Sequence, residues 1–147
     1  TQRMIVRLFR PNETADSVFA IDYDRLWNAG KRVLIFDLDK TLMPWQGEIL
    51  PPAAKALLDS LTEKGFRIAI LSNRNRGGSN KDFLTDVPFP VVRNAGKPRS
   101  RAFCMLLDQL KAPATEAVMI GDRWLTDVLG ANRLGIHSVR VRSRGAD

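Results

Sequence analysis

The chain has 147 residues, of which 44% are hydrophobic, and it carries a single cysteine and a net charge of +7. This length suits one domain with an ordinary core, and the excess of cations favours anionic partners such as phosphorylated small molecules, acidic lipid or nucleic acid. One cysteine excludes an internal disulfide framework, and with one histidine it cannot build a Cys/His zinc site. We expect Cys104 to be a buried thiol.

The first 30 residues predict an N-terminal arm that packs on the core, and residues 31–147 predict a single main domain. An apolar and basic segment at residues 5–11 precedes a second apolar set that includes Val18, Phe19 and Trp27. We interpret the arm as short helices that cover one edge of a sheet. The alternative is contact with acidic lipid, because Arg7 and Arg10 lie beside apolar residues.

Five apolar runs predict buried parallel strands at residues 33–36, 68–71, 91–92, 118–120 and 138–141. Helical periodicity begins at Pro51-Pro52 and stops at Gly65, and amphipathic stretches also cover residues 101–110 and 124–134. This alternation predicts an α/β fold with a doubly wound parallel sheet. Ligands of such sheets bind outside the carboxyl ends of the strands.

Polar residues with suitable chemistry follow four of the predicted strands: Asp37 and Asp39, then Ser72 and Asn73, then Lys97, then Asp122. Two carboxylates as close as Asp37 and Asp39 repel each other unless a cation or a proton separates them. The pair therefore indicates bound Mg²⁺, with one aspartate free to attack phosphorus. The alternative is a strand that ends in a solvated Asp turn.

Four motifs in this order resemble those of the haloacid dehalogenase (HAD) superfamily, across residues 33–142. They are Asp37-Leu38-Asp39-Lys40-Thr41, Leu71-Ser72-Asn73, Gly96-Lys97-Pro98, and residues 121–127. Pro44-Trp45, residues 125–133 and the arm further resemble the subfamily IIIA phosphatases of the YqeG type, which are related to phosphatidylglycerophosphatases. One departure is Lys40, where that family commonly has asparagine.

The resemblance implies a HAD-like Rossmannoid fold and phosphomonoester hydrolysis through an aspartyl phosphate. It makes Asp37 the nucleophile and Asp39 the general acid and base. Lys97 would neutralise charge in the transition state and, with Ser72 and Asn73, bind the substrate phosphate. The remaining implied roles concern the cofactor: Mg²⁺ would be held by Asp37, the backbone carbonyl of Asp39, and Asp122, with Thr41 and Asp127 in support.

The implied substrate is phosphatidylglycerophosphate, which would be hydrolysed to phosphatidylglycerol. Cations near the predicted site are compatible with an anionic lipid head group, although they could equally form a solvated face: Arg74, Arg76, Lys81, Arg93, Arg99 and Arg101. The segments 42–50 and 85–95 leave little room for an inserted cap, so we expect a capless, open site. We expect a cytoplasmic location with possible peripheral membrane contact, or an organelle matrix if a presequence was removed.

Two other functions remain open. The first is a soluble subfamily IIIA phosphatase that acts on a sugar, nucleotide or polynucleotide phosphate. The missing Cys/His zinc loop argues against the histidinol and heptose phosphate branches, and an aromatic content of 7% argues against nucleic acid. The second is a non-catalytic HAD-fold binding protein, which is disfavoured because Asp39, Lys97 and Asp122 all hold the residue that catalysis requires. The oligomeric state is left open.

Overall fold

The computed structural model describes residues 2–43, 49–74 and 87–142. The helices are α1 (Gln2–Phe9), α2 (Tyr23–Asn28), α3 (Pro52–Lys64), α4 (Ser100–Leu110) and α5 (Leu129–Leu134). The strands are β1 (Glu13–Ala15), β2 (Val33–Phe36), β3 (Arg67–Leu71), β4 (Val91–Val92), β5 (Ala117–Gly121) and β6 (His137–Val141). Two 3-10 turns, Val18–Ala20 and Ala114–Glu116, and one π-helix, Trp124–Val128, complete the described elements.

The six described strands form one parallel sheet in the order β1-β6-β5-β2-β3-β4. Alternate residues of the central strands enter two separate hydrophobic clusters. One cluster joins Leu34 and Phe36 to α3, and the other joins Val33 and Ile35 to α4. Both faces of β2 are therefore buried, which confirms the doubly wound α/β arrangement.

The five predicted strands agree with the structure to within one residue at each end. Helix α3 also stops where the sequence indicates, because Gly65 takes a left-handed conformation with φ 115° and caps the helix. A Cβ at Gly65 would lie 2.8 Å from the Trp27 ring, so glycine is required there for space as well as for conformation. The predicted helix 124–134 consists of two parts, the π-helix followed by α5.

The arm contains helices, as expected, and also a strand that the sequence does not predict. Strand β1 pairs with β6 at the edge of the sheet. Asn132 holds the arm against the core. Its side-chain NH₂ group donates to three backbone oxygens of the arm, those of Arg7, Leu8 and Arg10, at 3.2, 2.9 and 2.8 Å. Its side-chain oxygen accepts from the hydroxyl of the buried Ser138. Three residues are too few to show an alternating pattern, so the sequence does not predict β1. The strand is held in place by its pairing with β6 and by the contacts between Asn132 and the arm.

The expectation of a buried Cys104 is wrong, because the cysteine is exposed. In α4 the buried face is formed by Ala102, Phe103 and Leu106, and position 104 faces away from it. Among the described residues no helix has both the length and the apolar character needed to cross a bilayer.

Candidate active site

The predicted site residues gather at the carboxyl edge of the sheet. Strand β2 lies between β3 and β5, so Asp37, Ser72 and Asp122 follow three neighbouring strands. The backbone N–H of Asp37 donates to the Ile120 carbonyl at 2.9 Å and extends the β2–β5 ladder into the site. Parallel pairing therefore brings together residues that are far apart in the sequence.

Lys97 lies between two carboxylates in the interior of the site. Its Nζ is 2.9 Å from Asp37 Oδ1 and 2.6 Å from Asp127 Oδ1, and all three side chains are buried. Burial disfavours the ammonium, but the two negative charges outweigh that effect and raise the pKa of Lys97. Lys97 therefore carries a fixed positive charge next to Asp37.

Asp127 is the most deeply buried acid of the cluster, with 1% of the residue exposed. Both of its oxygens are engaged, since Oδ1 accepts from Lys97 and Oδ2 accepts from the backbone N–H of Arg123 at 3.2 Å. Burial raises the pKa of Asp127 to about 6, against the opposing effect of Lys97. The sequence assigns Asp127 to the support of the metal, and the structure places it against Lys97.

Three carboxylates could hold a cation. Oxygen atoms of Asp37, Asp122 and Asp127 all lie within 4.8 Å of one another. Within the described part of the chain, Asp122 Oδ1 is buried and has no hydrogen-bond partner. Burial, followed by the charge on Asp37, raises the pKa of Asp122. A buried oxygen without a donor beside other carboxylates fits a hard cation, because such ions select oxygen ligands.

Asp39 follows Asp37 into a tight turn and is only partly buried, with 16% of its side chain exposed. Lys40, the next residue, has φ 65°, and its N–H donates to the Met43 carbonyl at 2.7 Å. This left-handed conformation is adopted more readily by asparagine than by lysine. The Arg74 guanidinium lies 3.6 Å from Asp39 Oδ1.

Ser72 and Thr41 both present buried hydroxyl groups at this edge. Ser72 Oγ accepts from the N–H of Arg74 at 3.0 Å, so its own proton is available to donate to an anionic oxygen. Thr41 Oγ1 has no hydrogen-bond partner among the described residues.

Asn73 holds the loop that carries Lys97. Its Oδ1 accepts from the Lys97 N–H at 2.8 Å, and its Nδ2 donates to the Lys97 carbonyl at 3.1 Å. The sequence assigns Asn73 to phosphate binding, but these contacts occupy one donor and one acceptor of its amide. They indicate a residue that positions Lys97.

Replacing Asn73 with alanine tests this positioning role. We expect Asn73→Ala to lower the free energy of unfolding by about 1 kcal/mol, because two hydrogen bonds to the loop are lost. We also expect kcat to fall while KM changes little, since the Lys97 loop is no longer fixed. Urea unfolding and steady-state kinetics on a soluble phosphomonoester would measure both effects. A raised KM with unchanged stability would instead support direct phosphate binding by Asn73.

Sequence reasoning missed three contacts that shape the site. The Arg140 side chain donates to the Asp122 carbonyl at 3.2 Å, and its guanidinium lies 4.5 Å from the centre of the Trp124 ring. The contact between Asp127 and Lys97 also has no local sequence signal. Predictions for Trp45, Arg76 and Lys81 lie outside the described residues, and the capless prediction depends in part on the same segments.

Comparison with known proteins identifies the family of the chain. Residues 94–146 match a family described as HAD-hydrolase-like. The chain is 32% identical to the "Probable phosphatase YqeG" of Bacillus subtilis, over 94% of this chain and 80% of that protein. It is 31% identical to phosphatidylglycerophosphate phosphatase 1, chloroplastic, of Chlamydomonas reinhardtii, over 90% of this chain but only 52% of that protein. The chain thus spans about half of the second relative.

A solved structure supports the fold. A HAD family enzyme from Bacteroides thetaiotaomicron, in complex with magnesium and inorganic phosphate, superposes with a TM-score of 0.63. The match covers 80% of this chain and 97% of that chain at 15% identity, so it bears on the fold alone.

The parallel sheet, the acidic cluster and the similarity to YqeG place the chain in the HAD superfamily, to which it belongs. Within that superfamily it is a phosphatase that resembles YqeG and the phosphatidylglycerophosphate phosphatases.

Proposed function

We propose that the protein is a Mg²⁺-dependent phosphomonoester hydrolase that works through an aspartyl phosphate, with phosphatidylglycerophosphate as its substrate. The observation that carries the reaction is the pairing of Asp37 with a buried Lys97 at 2.9 Å. Beside this pair lies Asp122 Oδ1, which has no hydrogen-bond partner in the part of the chain that the structure describes. An anionic nucleophile can approach an anionic phosphate only where fixed positive charge offsets their repulsion.

The donor set supports Mg²⁺ as the cofactor. Asp37 and Asp122 would hold the ion with the backbone carbonyl of Asp39. Asp127 is assigned to Lys97 instead, because both of its oxygens already accept hydrogen bonds. When bound, Mg²⁺ would screen the charge of the nucleophile and of the phosphate oxygens.

The first half of the reaction forms the phosphoenzyme. The Asp37 carboxylate attacks phosphorus, and the bond between phosphorus and the leaving alkoxide breaks. Asp39 gives its proton to that alkoxide as the general acid. Lys97 and the Ser72 hydroxyl stabilise charge on the phosphoryl oxygens.

The second half releases phosphate. Asp39, now ionised, takes a proton from water, and that water attacks the phosphorus of the aspartyl phosphate. The bond between phosphorus and the Asp37 oxygen breaks, so the carboxylate is restored. Dividing the displacement in this way replaces one difficult step by two easier ones.

The substrate assignment is supported by two observations. One relative is named as a phosphatidylglycerophosphate phosphatase. The sequence also predicts cations near the site, among them Arg74, Arg93, Arg99 and Arg101, and Arg74 lies 3.6 Å from Asp39 Oδ1. A basic rim would attract an anionic lipid head group.

The test is phosphate release from phosphatidylglycerophosphate in mixed detergent micelles, compared with a panel of soluble sugar and nucleotide phosphates. We expect hydrolysis of the lipid that requires Mg²⁺, is abolished by EDTA, and is absent in the Asp37→Asn variant. Hydrolysis confined to soluble esters would reject the lipid as the substrate but would remain consistent with the proposed mechanism. Absence of turnover on every substrate would contradict the catalytic proposal.

A further inference from the structure

Two described elements at one side of the active site expose large apolar side chains. Helix α1 exposes Ile5, Val6 and Phe9, and the π-helix exposes Trp124 and Leu125. Helix α1 packs against both the π-helix and α5, so the two exposed sets belong to adjoining elements. We call these five side chains the docking face.

The docking face adjoins the catalytic residues. Trp124 follows Asp122 by two residues, which limits the separation of their Cα atoms to about 7 Å. Arg140 links the same two residues, because it donates to the Asp122 carbonyl and stacks on the Trp124 ring. A molecule whose apolar part contacts Trp124 and Leu125 would therefore have its polar end close to Asp122.

The exposed charged side chains at residues 5–10 and 123–125, which carry the docking face, are all cationic. Arg7 and Arg10 are exposed in or just after α1, and Arg123 is exposed directly before the π-helix. Residues 2–10 and 123–125 include no aspartate or glutamate. Apolar side chains mixed with cations and without acids are typical of surfaces that lie on anionic lipid, where tryptophan favours the interface.

We propose that the docking face binds the surface of a bilayer that contains anionic phospholipid, and that it thereby presents lipid head groups to the active site. This inference rests on the proposed function for its use, but binding itself does not require turnover. The apolar side chains enter the interface, and Arg7, Arg10 and Arg123 attract the acidic head groups.

Co-sedimentation with vesicles tests the proposal. The wild-type chain is expected to bind vesicles of phosphatidylcholine mixed with phosphatidylglycerol more tightly than vesicles of phosphatidylcholine alone. This preference should weaken as salt is raised. The test variant is Ile5→Ser with Leu125→Ser, because these side chains are 57% and 65% exposed and can change without opening the core.

We expect the double variant to bind the mixed vesicles at least about tenfold more weakly, through loss of apolar burial. A matched control is Met105→Ser, which replaces a side chain 55% exposed on α4, outside the docking face, and should bind like the wild type. Hydrolysis of p-nitrophenyl phosphate reports whether the double variant keeps an intact active site.

Three outcomes would overturn the proposal that the docking face binds lipid. The wild-type chain could stay in the supernatant with both kinds of vesicle, or the double variant could bind as tightly as the wild type. In the third outcome, the wild type associates with itself and the double variant does not. The last result would assign the face to a second copy of the chain. Failure of the proposed substrate is distinguishable, because vesicle binding without hydrolysis of micellar phosphatidylglycerophosphate rejects the substrate and retains the face.

Discussion

Replacing Lys97 with methionine is expected to damage stability and catalysis together. The substitution keeps an unbranched side chain that is one atom shorter and removes the charge from between Asp37 and Asp127. Breaking a buried ion pair by removing one partner typically lowers the free energy of unfolding by about 3–5 kcal/mol, because the remaining charge is buried without compensation. We expect a loss of that size, measured by urea unfolding without added metal.

The effect of Lys97→Met on activity has a separate cause. Loss of a charge that stabilises the transition state should lower kcat by about 10²- to 10³-fold. Adding Asp127→Asn separates the two effects, since asparagine is uncharged and can still accept from the Arg123 N–H. The double variant should regain part of the lost stability while kcat stays low.

A suitable control is Lys55→Met, because Lys55 is exposed on α3. Its stability should stay within about 0.5 kcal/mol of wild type, with unchanged kinetics. An unchanged kcat in Lys97→Met would contradict the role of Lys97 in catalysis. Equal recovery of kcat and stability in the double variant would show that Lys97 acts only through folding.

Adding one methyl group at Gly121, the last residue of β5, is expected to lower both the free energy of unfolding and kcat. A Cβ at Gly121 would lie 2.2 Å from Asp127 Oδ2 and 2.4 Å from its Cγ. Asp127 has little freedom to move, because it is held by Lys97 and by the Arg123 N–H. We expect Gly121→Ala to lower the free energy of unfolding by about 1–3 kcal/mol, the usual effect of overpacking.

Catalysis should fall further than this loss of stability suggests. Displacing Asp127 also displaces Lys97, and a misplacement of about 1 Å in an active site can lower the rate by about 10²-fold. Gly135→Ala is the control: Gly135 caps α5 with φ 76° and has open space around it. It should lower stability by about 1 kcal/mol through backbone strain and leave kcat unchanged. Wild-type kcat in Gly121→Ala would show that the position of Asp127 is not needed.

Much of the fold can be predicted from local patterns. Strand β2 reads as a continuous apolar run because both of its faces are covered, and Gly65 marks the end of α3 through its left-handed conformation. The site residues Asp37, Ser72 and Asp122 could be located because each directly follows a buried strand, and parallel strands end at one edge.

The remaining features depend on contacts between distant residues. Asp127 and Lys97 are 30 positions apart, and their contact needs the π-helix to turn Asp127 inward. From the sequence alone, Asn73 is expected to bind phosphate. Its contacts with the Lys97 backbone become visible only in the folded chain. The expectation of a buried Cys104 rests on the general tendency of cysteine to be buried. In the structure, the orientation of α4 exposes this residue instead.

Because β1 and β6 lie near opposite ends of the sequence, β1 is synthesised long before the strand with which it pairs. Asn12, which bonds to Ser138, precedes it by 126 positions. At about 5–20 residues per second, a ribosome needs roughly 6 to 25 s to make that interval. Throughout this time β1 has no partner strand. Once β5 has been made, its edge also stays open to other chains until β6 follows. Shortening the chain before β6 would therefore detach two strands from the sheet, one from each end of the sequence.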